Sequence, residues 1–286
     1  MLQVQRMGYE VKQIAPLEKS VLWDTGNRAH LKRMKEHIRE FQDVDYGKVT
    51  IICPIFNSYP YIIHSLQAQT YKNWELIILD DGSDDGTWEL AEVLSKGDKR
   101  IKVHKNGVNI GYNSTMLKLS GLAKGDFYAH FDSDDMLERY AIEEMLLAFD
   151  QLPDVKFIYS DFAQIGKKGE VEHYSPSPTF DPNKLHQHGW RHFGMYRSDV
   201  MQHIQGYNEK LASTNGCADG DLFMQIVEKF PAARLPKVLY LYRNHGNNIS
   251  TKNAKCEACP LRMDCNFARV WCKSANYDIT TCLLYT

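Results

Sequence analysis

No run of this 286-residue chain approaches the roughly 20 apolar residues that a membrane-crossing helix requires, and mean hydropathy is −0.45. Charge of one sign is also missing. The 34 Lys and Arg against 36 Asp and Glu leave −2, so nothing in the balance points to nucleic acid as the main partner. The opening MLQVQRMGYEVKQ lacks the basic-then-apolar layout of a signal peptide, and a cytoplasmic protein is expected. Cysteine is sparse until the end of the chain. Cys53 and Cys217 stand alone, whereas Cys256, Cys259, Cys265, Cys272 and Cys282 crowd the tail. An odd, clustered set without a leader argues against a secreted disulfide framework.

What is present is the material of a globular protein, with 43% hydrophobic and 24% charged residues. Residues 1–48 read as an extension. NRAHLKRMKEHIREFQ places Leu31, Met34, Ile38 and Phe41 at helical spacing, with Arg28, Lys32, Lys35 and Arg39 on other faces. That pattern is a docking helix with a solvated basic side, or a contact for an anionic acceptor or membrane surface. From Val49 the text changes to apolar strands, VTIICPIF, ELIILDDGS, RIKVHKN and DFYAHFDSDD, separated by helical stretches at Tyr59–Gln69, Thr87–Leu94 and Ser114–Ala123. A helix over Leu137–Phe149, a strand VKFIYSDF, a turn entering a further strand in GKKGEVEHY, a loop over 174–190, a helix around Leu222–Phe230 and the run VLYLYRNH follow. Alternation at this spacing predicts βαβ units in a doubly wound, Rossmann-like, mostly parallel α/β sheet. Ligands bind such sheets at the carboxyl ends of the strands. Here those ends carry Asn57, Asp80–Asp81 and Asp132–Asp135.

The last group is the most demanding. Carboxylates this close repel unless a cation, a helix N-terminus or water compensates them. Alternate residues of an extended segment point the same way, so Asp132 and Asp134 can face one ligand while Ser133 points elsewhere. Asp135 is assigned to the N-terminus of the helix MLERYAIEEMLLAF. In LDDGSDDGT, Asp84 and Asp85 read as turn or cap residues.

Residues 49–250 resemble a family 2 glycosyltransferase of GT-A fold. The resemblance rests on ICPIFN, QTYKNWELIILDDGSDDGT, NIGYNSTMLKLSGLAKGDFYAHFDSDD, ADGDLFMQI and YRNHGNNIS, in the family's order and spacing. It implies inverting transfer of a sugar from a nucleotide-diphosphate donor, most simply a UDP-sugar, to an acceptor hydroxyl, with Mn2+ or Mg2+ at a D-x-D motif. It implies Asp134 as a direct metal ligand, Asp132 as a contact to ribose or metal, Ser133 between them, and His245 completing the metal site or touching the diphosphate. It places Pro54, Phe56 and Asn57 around the nucleobase, Asp80 and Asp81 on base or ribose, and Asn109 and Gly111 in the loop over the nucleotide. Asp219 falls at the base position, with Asp221 opening the following helix; the alternative for both acids is a helix cap. Two departures stand out. The family's Arg five residues after Gly111 is Met116, with Lys118 out of register as a substitute, and the Glu that precedes the base is Ala218. Trp190, Arg191 and His192 are placed at the acceptor pocket.

The tail CEACPLRMDCNFARVWC, within residues 251–286, offers Cys256, Cys259, Cys265 and Cys272 for structural Zn2+ or an Fe–S cluster, with disulfides or free thiols as the alternatives. The Q-x-x-R-W motif of processive synthases is absent, which favours single or limited transfer. Two rival readings are a non-catalytic sugar- or partner-binding module and a sugar nucleotidyltransferase. The second requires a Gly-rich basic loop after the first strand, and PIFNSYPY is not one.

Overall fold

The computed structural model describes residues 44–181, 193–208 and 218–245. The expected N-terminal helix, Trp190–His192 and the tail cysteines lie outside the described residues. Within them the chain runs β1 (Val49–Ile55), α1 (Tyr61–Gln67), β2 (Trp74–Asp80), α2 (Thr87–Ser95), β3 (Ile101–Lys105), α3 (Tyr112–Ser120) and β4 (Phe127–His130). It continues β5 (Met136–Leu137), α4 (Ala141–Gln151), β6 (Phe157–Ile165), β7 (Val171–Ser175), β8 (Gly194–Arg197), a 3-10 turn at Ser198–Gln202, α5 (Ala218–Lys229) and β9 (Ala232–Arg243).

The strands form one sheet in the order β3-β2-β1-β4-β8-β6-β9-β5, with β7 on β6. Its first half is parallel, as the βαβ spacing predicts, with Ile55 opposite Asp80 and Ile52 opposite His130. The second half corrects the expectation of a mostly parallel sheet. There β8 runs antiparallel to both β4 and β6, β5 antiparallel to β9, and β6 parallel to β9. Strand direction there is set by long returns of the chain, which local periodicity does not record.

Both faces of the sheet are covered, which is why β1 and β2 carry apolar residues on either side and are buried throughout. Val49, Ile51, Cys53 and Ile55 face a core shared with Ile62, Ile63 and Leu66 of α1 and Ile142, Met145 and Phe149 of α4. Ile52, Ile77 and Leu79 face a second core with Met116 and Leu119 of α3 and Leu222, Met224 and Ile226 of α5. Met116 therefore serves packing at full burial. The helix expected from Leu137 begins at Ala141, because Met136 and Leu137 are drawn into pairing with Tyr240 and Leu241 of β9.

The second core tolerates little extra volume at the β8–β6 contact. A Cβ on Gly194 would sit 2.5 Å from Cε2 of Phe157, a fully buried ring that stacks on Phe223 at 4.8 Å. Gly194→Ala should therefore lower the free energy of urea unfolding by about 1–3 kcal/mol; an unchanged midpoint would contradict this packing.

Candidate functional site

The carboxyl edge of the parallel half brings together β1, β2 and β4 with the start of α3, and α5 enters beside them. Two loops at this edge are tied by side chains. The Asn57 amide donates to Asp84 (3.0 Å) and accepts from the Asp84 main chain (3.2 Å), and the Asn57 main chain, at φ 46°, donates to Ser83 Oγ (3.0 Å). Pro54 is buried in β1, whereas Phe56 is 47% exposed at the strand's end. Asp80 is fully buried and accepts from Ser83, with Lys105 at 3.9 Å. Asp85 accepts from the Thr87 main chain and hydroxyl, as a turn residue opening α2.

Asp81 is buried and accepts from Asn106 Nδ2 and from the main chains of Ile110 and Gly111, each at 2.9 Å. It thereby fixes the 106–111 loop and the entry to α3. Three donors leave one of its roughly four lone-pair sites open. The Lys118 ammonium donates to Asn106 at 3.0 Å and so belongs to this same network. Gly82, at φ +78°, lets the loop approach; a Cβ there would lie 2.8 Å from the main chain of Val108 and Asn109. Asn109 itself is exposed and accepts from the Gly111 amide (3.0 Å).

The acids after β4 part ways. Ser133 turns from them, its buried hydroxyl donating to Ser58 Oγ at 3.1 Å. Asp134 Oδ2 lies 2.8 Å from His245 Nε2. Burial, then the charge of Asp132, pushes the Asp134 carboxyl up, against the pull of His245. Asp135 corrects the helix-cap assignment. It is fully buried, accepts from the Arg243 main chain (2.7 Å) and the Tyr240 hydroxyl, and touches no helix N-terminus, since α4 starts only at Ala141. Arg243 also donates from Nε to the Asp134 carbonyl (2.9 Å), from Nη1 to the carbonyls of Gly166 and Lys167, and lies over the Tyr61 ring at 4.1 Å.

Asp219 sits in the first turn of α5. Asp221, two residues on, is buried and accepts from Gln225 (2.8 Å), which in turn donates to the Gly206 carbonyl. Around Asp219 the structure assembles residues that sequence reasoning missed. The Tyr112 hydroxyl donates to Asp219 Oδ2 (3.0 Å) and lies 2.9 Å from His130 Nε2. His130 Nδ1 is 3.2 Å from Asp219 Oδ1, and His130 Nε2 is 3.4 Å from Asp132 Oδ1. The Tyr207 hydroxyl and Asp219 Oδ1 are buried without an aligned hydrogen bond, and after burial the Asp219 charge is what raises the Tyr207 phenol most. The signal for His130 was its place two residues before Asp132 on an extended segment, hence on the same face.

Two carboxylates and an imidazole are the hard oxygen and nitrogen donors that Mn2+ or Mg2+ accepts. Asp132, Asp134 and His245 fit such an ion in kind, although among the described residues no three His, Cys, Asp or Glu side chains converge on one position. Among the described residues, too, no helix is long and apolar enough to cross a membrane.

Comparison with known proteins adds an independent observation. The profile of "Glycosyl transferase family 2" matches residues 50–213. A chondroitin synthase of Pasteurella multocida is 29% identical over 210 residues, covering 72% of this chain and 21% of that protein. A chondroitin synthase of Escherichia coli is 26% identical over 225 residues, covering 77% and 32%. The chain thus spans a third or less of the length of these relatives. The structure of S. aureus TarS 1-349 in complex with UDP-GlcNAc superposes with a TM-score of 0.61 at 17% identity, over 80% of this chain and 66% of that one, which shows a shared fold.

Burial alone would lower His130, but the charge of Asp219 and then the hydrogen bond and charge of Asp132 push it up from 6.5 to about 9. A raised folded-state value means that the stability contributed by His130 is complete below pH 6.5 and lost as pH rises through about 9. Urea unfolding in EDTA should show the difference between the protein and His130→Ala shrinking across that window. A difference independent of pH would contradict the placement of the ring between two carboxylates.

Proposed function

The chain belongs to glycosyl transferase family 2, and from that premise we propose that it moves a hexose from a UDP-sugar to an acceptor hydroxyl, with inversion at the anomeric carbon. The observation that carries this reading is the juxtaposition on one sheet edge of Asp132 and Asp219, joined through His130, with Asp134 two residues on and paired with His245. Acids of this kind suit opposite ends of a displacement. Donor phosphate is anionic and becomes more so as the sugar departs, whereas the attacking hydroxyl must lose a proton.

On the donor side, Phe56 and the Asn57–Asp84 clasp border the base, and Asp81 offers its remaining acceptor site to a nucleobase N–H. Asp80 holds the Ser83 turn beside the ribose, and Asn109 with Gly111 covers the nucleotide. Asp134 and His245, with Asp132, would hold Mn2+ or Mg2+, which supplies neutralisation of the diphosphate. Among the described residues, Lys118 is committed to Asn106, Lys105 lies by Asp80 and Arg243 is committed to main-chain carbonyls, so the carboxylate–imidazole set is the means of receiving a diphosphate.

On the acceptor side, Asp219 is 29% exposed, with Oδ1 buried toward His130. Oδ2, which accepts from Tyr112, keeps a second lone pair to accept the hydroxyl proton while the hydroxyl oxygen attacks the anomeric carbon opposite the departing UDP. A relative named chondroitin synthase and a fold neighbour holding UDP-GlcNAc support a UDP-sugar as donor class.

A screen of UDP-glucose, UDP-GlcNAc, UDP-GalNAc and UDP-glucuronate with manganese tests the reading through donor hydrolysis and transfer. Asp219→Asn should lower turnover of the accepted donor about 10²–10⁴-fold while UDP binding persists. Turnover of none of the four, with UDP still bound, would favour a binding module. Equal activity in Asp134→Ala and the parent would overturn the cation assignment.

A further inference from the structure

The ring of His130 is not part of any motif that carries the family resemblance by role, yet it lies at the centre of the edge. It arrives at the end of β4, Tyr112 arrives as the first residue of α3, and Asp219 arrives in the first turn of α5. The three side chains close a triangle: Nδ1 to Asp219 Oδ1 (3.2 Å), the Tyr112 hydroxyl to Asp219 Oδ2 (3.0 Å), and that hydroxyl to Nε2 (2.9 Å).

Hydrogen counting fixes the direction of two of these contacts. An ionised carboxylate only accepts, so the Tyr112 hydroxyl donates to Asp219 Oδ2, whereas Nδ1 stands at ion-pair distance from Oδ1 without an aligned hydrogen bond. Tyr112 has one proton, and it is spent on Asp219 Oδ2. Its oxygen therefore accepts from Nε2–H. Oδ2 of Asp219 is then held by the Tyr112 hydroxyl and Oδ1 by its ion-pair contact with the ring, from different elements, which turns Oδ1 inward. Without the ring, Asp219 and Asp132 would face each other as like charges across the edge.

We propose that His130 is a positioning residue for Asp219, holding Oδ1 and separating the carboxylate from Asp132 so that Oδ2 is presented to the acceptor hydroxyl. This role rests on the reading of Asp219 as the base. It makes the effect of His130 on kcat pass through Asp219, whereas the ring's contact with Asp132 (3.4 Å) would be felt in donor binding.

The test is a double-mutant cycle on donor hydrolysis with manganese, read as kcat and KM for the accepted UDP-sugar and as UDP affinity by calorimetry. His130→Ala should lower kcat about 10–100-fold, a part of what a general base supplies, and change KM and UDP affinity by less than it changes kcat. His130→Gln, which keeps a donor, should recover part of the loss. In the Asp219→Asn background, His130→Ala should cost nothing more. Tyr112→Phe repeats the cycle should His130→Ala fold poorly. Unaltered kcat in His130→Ala, or losses that multiply in the double variant, would overturn the proposal while leaving Asp219 as base. Full activity in Asp219→Asn would overturn the base reading and the positioning role with it. Independently of turnover, Asp219→Asn should move the His130 ring signals in 15N-histidine-labelled protein, and unmoved signals would also overturn it.

Discussion

Three carboxylates leave β4 within four residues, and each must be compensated where the sheet ends and solvent is partly excluded. The structure resolves this by giving each a different partner. Asp135 is bound by the Arg243 main chain and the Tyr240 hydroxyl, Asp134 by His245, and Asp132 by His130. The first of these holds the others in place. Asp135 is fully buried, so its two donors on β9 are obligatory, and they pin the end of β9 to the end of β4. His245, two residues beyond Arg243, then arrives at Asp134. Arg243 extends the same clasp to the 166–167 turn and to Tyr61 on α1.

The two halves of the sheet divide the work. The parallel half, β3-β2-β1-β4, presents loops tied by Asn57, Asp81 and Gly82, a frame suited to a nucleotide. The mixed half supplies α5 and with it Asp219. Met116, buried between α3 and the sheet, is a packing residue where the family resemblance calls for an Arg. With no guanidinium at that position, the charge of a bound diphosphate would fall on His245 and on a cation held by the acids at the β4 end.

Much of this was legible in the sequence, for identifiable reasons. β1 to β4 were readable because continuous apolar runs ending in Asp or Asn mark buried parallel strands. The acid edge was readable because polar residues collect at strand ends. Asp135 was misread because the segment after it looks like an uninterrupted helix, and only tertiary pairing with β9 diverts Met136 and Leu137 into a strand. The mixed half was misread because strand direction depends on pairing between segments far apart. His130 was missed because a lone histidine inside an apolar strand reads as core. Its meaning depends on Asp219 and Tyr112, which the fold, and not the local sequence, brings within 3.2 Å.

The most direct test of the central claim, that the β4 end receives the diphosphate of a nucleotide donor, is crystallographic. Crystals grown with UDP and manganese should show an anomalous manganese peak in contact with Asp134 and the UDP phosphates, with the base between the β1 and β2 loops. UDP bound elsewhere on the sheet, or a manganese peak away from Asp132, Asp134 and His245, would contradict that claim.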